Sequence, residues 1–159
     1  MLFRSPKLSI RPMNIADIPL VYRIEKECFQ YPWPKKEFFV ELVRNRFAKY
    51  FVCFLDQQML GFIGLWIIMD EAHIANIAVK KTYQKTGIGN TMMEFGEQYA
   101  LEHRCKTMIL EVGVGNQEAI LFYEQRGYRR THLRKNYYAH SFEDAYEMIK
   151  ELSYAHIRA

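Results

Sequence analysis

Cysteine is scarce in this chain of 159 residues: there are three, Cys28, Cys53 and Cys105, odd in number, far apart and outside any CxxC spacing. That excludes a disulfide framework and a cysteine-based zinc site, and leaves them as reduced packing residues. Long hydrophobic runs are missing as well: the densest, GFIGLWIIM, is about half of the roughly 18 residues a membrane span needs. No dense block of Lys and Arg stands out, and the net charge is only +4, so neither a nucleic-acid-binding arm nor a membrane partner is expected. Repeats, low-complexity tracts and linker-like stretches are also absent, which predicts one domain over residues 1–159. The opening MLFRSPKLSI carries neither the apolar core nor the small-residue cleavage site of a secretory signal, which favours a cytoplasmic location. His73, His103, His132, His140 and His156 have no metal-ligand spacing, so no metal is expected, and His103 beside Cys105 reads as a helix end.

What the chain does have is regular patterning. LSIRPM reads as a short strand, and NIADIPLVYRIEKECF as a helix with Asn14 as cap and Pro19 tolerable only near its start. QYPWP breaks that pattern, and KKEFFVELVRN resumes it as a second helix. AKYFVCFL and MLGFIGLWIIM predict two strands across the polar turn DQQ, and HIANIAVKK a further strand. The next helix carries Ile88, Met92, Phe95 and Tyr99 on one face. KTMILEV, nearly all apolar, suggests a strand covered on both faces. Asn116 caps a helix QEAILFYEQR that stops at Gly127. YRRTHL and FEDAYEMIKEL suggest a terminal strand pair, although propensity alone allows helix for the second. The result is an α/β protein with a mixed sheet and parallel crossovers in its second half.

Between NIAV and the third helix lies YQKTGIGN, Tyr83 to Asn90, with Lys80, Lys81 and Lys85 around it. A strand that ends in a glycine-rich turn before a helix offers unpaired backbone N–H groups at the positive end of a helix dipole, a geometry that binds phosphate. Gly87 and Gly89 let an anion approach the backbone, and Lys85 adds a charge-assisted contact. The same glycine pair also serves as an ordinary tight turn. Two familiar nucleotide loops do not fit: GxxxxGK(S/T) is absent, and GxGxxG requires a third glycine where Met92 stands.

Gln84-Lys85-Thr86-Gly87-Ile88-Gly89 does fit Q/R-x-x-G-x-G/A, and so resembles the pyrophosphate loop of the GNAT acyltransferases, which bind acetyl-coenzyme A. NIAV before the loop, LEV and Asn116 after the helix, A-x-x-x-Y-x-x-x-G-Y from Ala119 to Tyr128, and RKNYY from Arg134 to Tyr138 are similar to the RimI-like branch, whose members acetylate protein N-termini. IEKECFQYPW is similar to that branch's substrate-side helix and loop. The resemblance implies a twisted mixed sheet of about seven strands flanked by about four helices, and direct acetyl transfer to an amine without an acyl-enzyme.

By the same resemblance Glu111 is the general base and Tyr123 the proton donor to the coenzyme A sulfur. Ile77, Ala78 and Val79 pair with the pantetheine arm, Asn116 contacts it, and Lys85, Thr86, Gly87, Ile88, Gly89 and Asn90 hold the pyrophosphate. Tyr31 and Trp33 on one side, Tyr137 and Tyr138 on the other, flank the acceptor peptide. Taken alone, Glu111 is equally a salt-bridged strand end and Tyr123 a core aromatic. An α-amine, with pKa about 7.7 to 8.0, is roughly a quarter neutral near pH 7.4, against roughly a thousandth of a lysine. That fits an α-amine without excluding lysine, and the resemblance of RKNYY makes a protein N-terminus, of the ribosomal-protein type, the expected acceptor. A lysine, a polyamine or an antibiotic amine, and a non-catalytic coenzyme A-binding module, remain alternatives. Gly113 and Gly115 depart from the branch, which commonly has arginine after LEV and serine before the asparagine.

Overall fold

Seven segments become strands of a single sheet in the computed structural model, which describes residues 8–155. The opening residues 1–7 and His156 lie outside the described residues. In chain order the elements are β1 (Leu8–Pro12), a 3-10 turn (Ile15–Asp17), α1 (Ile18–Cys28), α2 (Lys35–Val43), β2 (Ala48–Leu55), β3 (Gln58–Ile68), β4 (Glu71–Val79), a second 3-10 turn (Lys81–Tyr83), α3 (Ile88–Glu102), β5 (Thr107–Gly113), α4 (Gln117–Gln125), β6 (Arg129–Tyr138) and β7 (Glu143–Glu151). Asn14 opens the 3-10 turn and not α1; its N–H donates to Asp17 Oδ2 at 2.8 Å, and Pro19 sits in the first turn of α1, where its missing N–H costs nothing.

The strand order is β1-β2-β3-β4-β5-β7-β6. All neighbours are antiparallel except β4 and β5. Of the expected parallel crossovers, only β4–α3–β5 therefore joins adjacent strands. The connection through α4 also returns a strand in the same direction, but β7 lies between β5 and β6. Pairing on both edges settles FEDAYEMIKEL as strand, because hydrogen bonds to two neighbours outweigh its helical propensity.

Helices α3 and α4 pack on one face over Met92, Met93, Ala100, Met108 and Ile120. The other face carries α1 and α2 over Val21, Ile24, Phe38, Val52 and Phe62. The apolar face of α3 centres on Met92, Met93, Gly96 and Ala100, so Ile88, Phe95 and Tyr99 lie at its half-buried margin. Strand β5 is not covered on both faces: Met108, Leu110 and Val112 are buried, while Thr107, Ile109 and Glu111 on the other face are half-buried. Strand members of the cluster on the α1 and α2 face come from β2, β3 and β4, so the odd-numbered side of β5 and β7 lies outside it and there carries Glu111, Glu143 and Glu147 beside Ile109, Ala145 and Ile149.

A wedge opens in the middle of this sheet. β4 pairs with β3 as far as Val79, with a register shift opposite Ala75, but with β5 only through Glu71, Ala72 and His73. Beyond His73 the two strands diverge. Their inner backbone groups then need other partners.

Candidate active site

The wedge widens into a cleft of about 610 Å3 whose walls include Val79, Gly87, Gly89, Asn90, Asn116 and Phe122. Lys80 N–H donates to Leu60 O at 2.7 Å, so by the alternation of an extended strand the backbone of Ala78 also faces β3, whereas that of Ile77 and Val79 faces the cleft. Val79 O bears this out, since it accepts from Gln84 Nε2 at 3.0 Å and from Cys28 Sγ at 3.1 Å. Ala78 instead buries its methyl group under α1.

At the floor of the cleft the chain reverses through Lys85 (φ 63°) and Gly87 (φ 94°), and α3 begins without a side-chain cap. The first amides of α3 have no intrahelical acceptor. A Cβ on Gly87 would meet nothing within 4 Å, so the space above it is open. Lys85 reaches Glu118 across the cleft at 3.4 Å, with both side chains exposed. Asn90 Oδ1 accepts from Arg126 Nη1 at 3.0 Å and links α3 to α4. Thr86 bonds Tyr83 O, and Ile88 turns its side chain into the core, so these two stabilise the turn.

Asn116 does cap α4, its side chain accepting from Ala119 N at 3.2 Å. It also borders a second pocket of about 130 Å3 that shares Ile77, Asn116, Ala119 and Tyr123 with the cleft and adds Glu111 and Tyr138. The expected base and proton donor thus line one continuous space. Burial pushes the Tyr123 pKa up to about 12, with Tyr138 adding to the shift. Tyr138 is likewise pushed up to about 12, by burial first and then by Tyr137 and nearby carboxylates.

The Glu111 side chain is 6% exposed, and its Oε1 lies 2.6 Å from His73 Nε2. Tyr137 OH donates to the same oxygen at 3.3 Å, and Arg134 Nε stands 3.8 Å from Oε2. Glu147, the cross-strand partner of Glu111, accepts from Thr131, His132 and Arg134. Burial works to raise the Glu147 pKa, but these bonds outweigh it and bring it down to about 2.

The four aromatics expected around an acceptor separate into two groups. Tyr137 and Tyr138, packed edge to face with centroids 5.0 Å apart, are at the Glu111 pocket. Tyr31 is exposed and stacks on His140 of the β6–β7 turn at 5.3 Å, so the α1–α2 loop touches the hairpin across the mouth. Trp33 turns inward instead, its ring 5.5 Å from Phe38, and its backbone N–H donates to the buried Glu25 at 2.9 Å. Glu25 also accepts from Asn76 on β4 at 2.9 Å and so ties that loop to the diverging strand; burial raises its pKa against those two bonds.

Three residues, two lining the cleft and one in contact with Glu111, escape a reading of the sequence. Cys28, expected only to pack, lines the cleft, and burial followed by the charges of Glu27 and Glu25 raises its pKa to about 11. A thiol so protonated is a poor nucleophile at neutral pH. Phe29 borders both pockets. His73 meets Glu111 only because of the β4–β5 register, which no spacing along the chain reveals; the one available signal was a histidine in an otherwise apolar strand.

Residues 18–128 match the family model described as acetyltransferase (GNAT) family. A protein of Bacillus subtilis (strain 168) is 38% identical over 139 residues, 87% of this chain and 92% of that one. The ribosomal protein bS18-alanine N-acetyltransferase of Salmonella typhimurium is 32% identical over 149 residues, 91% of this chain and 98% of that one. The crystal structure of the ribosomal-protein-S18-alanine N-acetyltransferase from Escherichia coli superposes with a TM-score of 0.84 at 30% identity, covering 92% of this chain and 94% of that one. Among the described residues no helix is long and apolar enough to cross a membrane.

Proposed function

The chain belongs to the GNAT acetyltransferase family and is an N-acetyltransferase, and from that premise we propose that its acceptor is the α-amine of a protein N-terminus, of the ribosomal-protein type, in the cytoplasm. One observation carries the reading: the cleft at the start of α3 shares Ile77, Asn116, Ala119 and Tyr123 with the pocket that Glu111, Tyr123 and Tyr138 line. A small-amine site would not require aromatics on a strand hairpin beside it; a peptide lying along the open face of β5 and β7 would use them.

The cradle suits acetyl-coenzyme A on its chemistry. Free amides and Lys85 at the start of α3 would receive the diphosphate, and the inward backbone of Ile77 and the N–H of Val79 would pair with the amide-bearing arm, since Val79 O is already held by Gln84 and Cys28. Ala78, whose backbone faces β3, would contribute packing alone. When bound, acetyl-coenzyme A supplies an activated thioester. Glu111 accepts the proton of the acceptor amine, and His73, whose side chain is 29% exposed against 6% for Glu111, orients the carboxylate and leads that proton to solvent. Tyr123 keeps its proton at neutral pH and gives it to the departing sulfur. An α-amine asks little of this base: reaching the neutral form of a lysine near pH 7.4 would take about 3 kcal/mol more.

The test compares initial rates of thiol release on an alanine-starting peptide, the same peptide N-blocked with a free lysine, and spermidine. The free N-terminus is expected to dominate. Glu111→Gln is expected to lower kcat on it by roughly a hundredfold or more while acetyl-coenzyme A binding persists. Preferential acetylation of the blocked lysine peptide or of spermidine would overturn the acceptor assignment.

A further inference from the structure

Gly113 lines the Glu111 pocket, and it is glycine for a visible reason. A Cβ built there would stand 2.7 Å from Glu143 Oε1 and 2.9 Å from its Cδ. Two residues on, Gly115 N–H donates to Glu143 Oε2 at 3.0 Å. The two glycines of LEVGVGN thus clear a seat at the end of β5, and the seat is filled by a carboxylate from the neighbouring strand. Glu143 is also the register partner of Tyr138, which lines the same pocket.

Three carboxylates share this sheet face, because Glu147 pairs across to Glu111 and Glu143 lies four residues from Glu147 on the same strand. Glu111 has His73, and Glu147 has Arg134 and His132. Glu143 pairs with no cation among the described residues, is half-exposed, and is fixed through a backbone N–H that leaves its charge uncompensated. A fixed, partly desolvated charge at the rim of a binding pocket selects a ligand of opposite sign.

Resting on the N-terminal acceptor reading above, we propose that Glu143 is a specificity-determining residue that selects acceptors with a lysine or arginine directly after the acetylated residue. Gly113 is two strand positions beyond Glu111, about 7 Å along β5. One Cα–Cα step of about 3.8 Å plus a long basic side chain spans that distance. The cation would meet the free Oε1 at the pocket rim, while the amine stands at Glu111.

Peptides identical except for Lys, Gln or Glu at the second position, behind a free alanine, provide the test, with kcat/KM measured for the wild type, Glu143→Gln and Gly113→Ala. Glu143→Gln keeps an acceptor for Gly115 N–H and removes the charge; Gly113→Ala keeps the charge and expels it from its seat. The wild type is expected to prefer Lys over Gln about threefold and Lys over Glu about tenfold, the scale of a partly exposed charge pair. Either variant is expected to bring the three peptides to within about twofold of one another. Acetylation of all three at equal rates by the wild type, or an unchanged preference in both variants, overturns the role of Glu143. Failure to acetylate any of them, with acetyl transfer to another amine intact, overturns the acceptor reading itself.

Discussion

Burial against a second phenol makes Tyr123 a better keeper of its proton than a free tyrosine. With its pKa pushed up to about 12, it stays protonated from pH 6 to 10. A proton donor of ordinary pKa, about 10, would begin to fail above about pH 9. The kcat profile measured from pH 6 to 10 is therefore expected to lack a descending alkaline limb from this group. Tyr123→Phe is expected to lower kcat about a hundredfold across that range, without changing the affinity for acetyl-coenzyme A more than about twofold. A residual rate near that of the wild type would leave Tyr123 as a packing aromatic, one of the two meanings its helical spacing allows. Tyr123 and Glu111 stand out in the sequence through the family motifs they match, since taken alone one reads as a core aromatic and the other as a salt-bridged strand end. His73 and Glu143 do not, since each acquires its meaning from a strand register fixed only in three dimensions.

Elements were readable where a local signal stood alone: Asn116 before α4, Gly127 after it, and the glycine turn before α3. They were less so where pairing decides. FEDAYEMIKEL carries helix-forming residues throughout, yet it becomes β7 because β5 and β6 offer it hydrogen bonds on both edges. Its insertion also separates β6 from β5 and removes the second parallel pair that alternating strands and helices suggest. The start of α3 gives a direct test of what the glycine turn does. Gly87 holds φ at 94°, a conformation in which an added Cβ costs about 1–2 kcal/mol, while open space receives the methyl group without a clash. Gly87→Ala is thus expected to lose about that much stability in urea unfolding. Calorimetry is expected to show coenzyme A affinity falling by about tenfold or more, because the methyl group points into the space where an anion would approach the amides. Lost stability with unaltered affinity would mark the glycine as a turn-former alone.

At the scale of the whole molecule, the sheet is two units joined by a narrow seam. β1 to β4 form one antiparallel set and β5, β7 and β6 another, and the Glu71–Thr107, Ala72–Met108 and His73–Ile109 pairs, with the Lys106 N–H bond to Asp70 O at 2.6 Å beside them, connect the two through backbone. Glu97 on α3 supports one side of this seam: it is 2% exposed and accepts from Arg126, Tyr128 and Lys150, which ties α3 to the β6–β7 hairpin. The other side, the wedge between Ile77 and Asn116, has inner backbone groups free to pair with a ligand. A molecule that bridges this gap engages both units at once and binds only when they are assembled. At a concentration of 100 times Kd such a ligand adds about 2.7 kcal/mol to the stability of the fold. For a chain of this length that corresponds to a rise of about 5–10 °C in Tm. Thermal unfolding with coenzyme A or acetyl-coenzyme A is expected to show that rise, and hydrogen exchange to show new protection in Ile77–Val79 and at the start of α3. ATP at the same concentration, with a comparable phosphate charge but no pantetheine arm, is expected to shift Tm by much less, since it reaches the amides of α3 without spanning the wedge. Equal shifts with ATP and coenzyme A would mean that charge at the helix terminus, and not the bridged gap, holds the ligand.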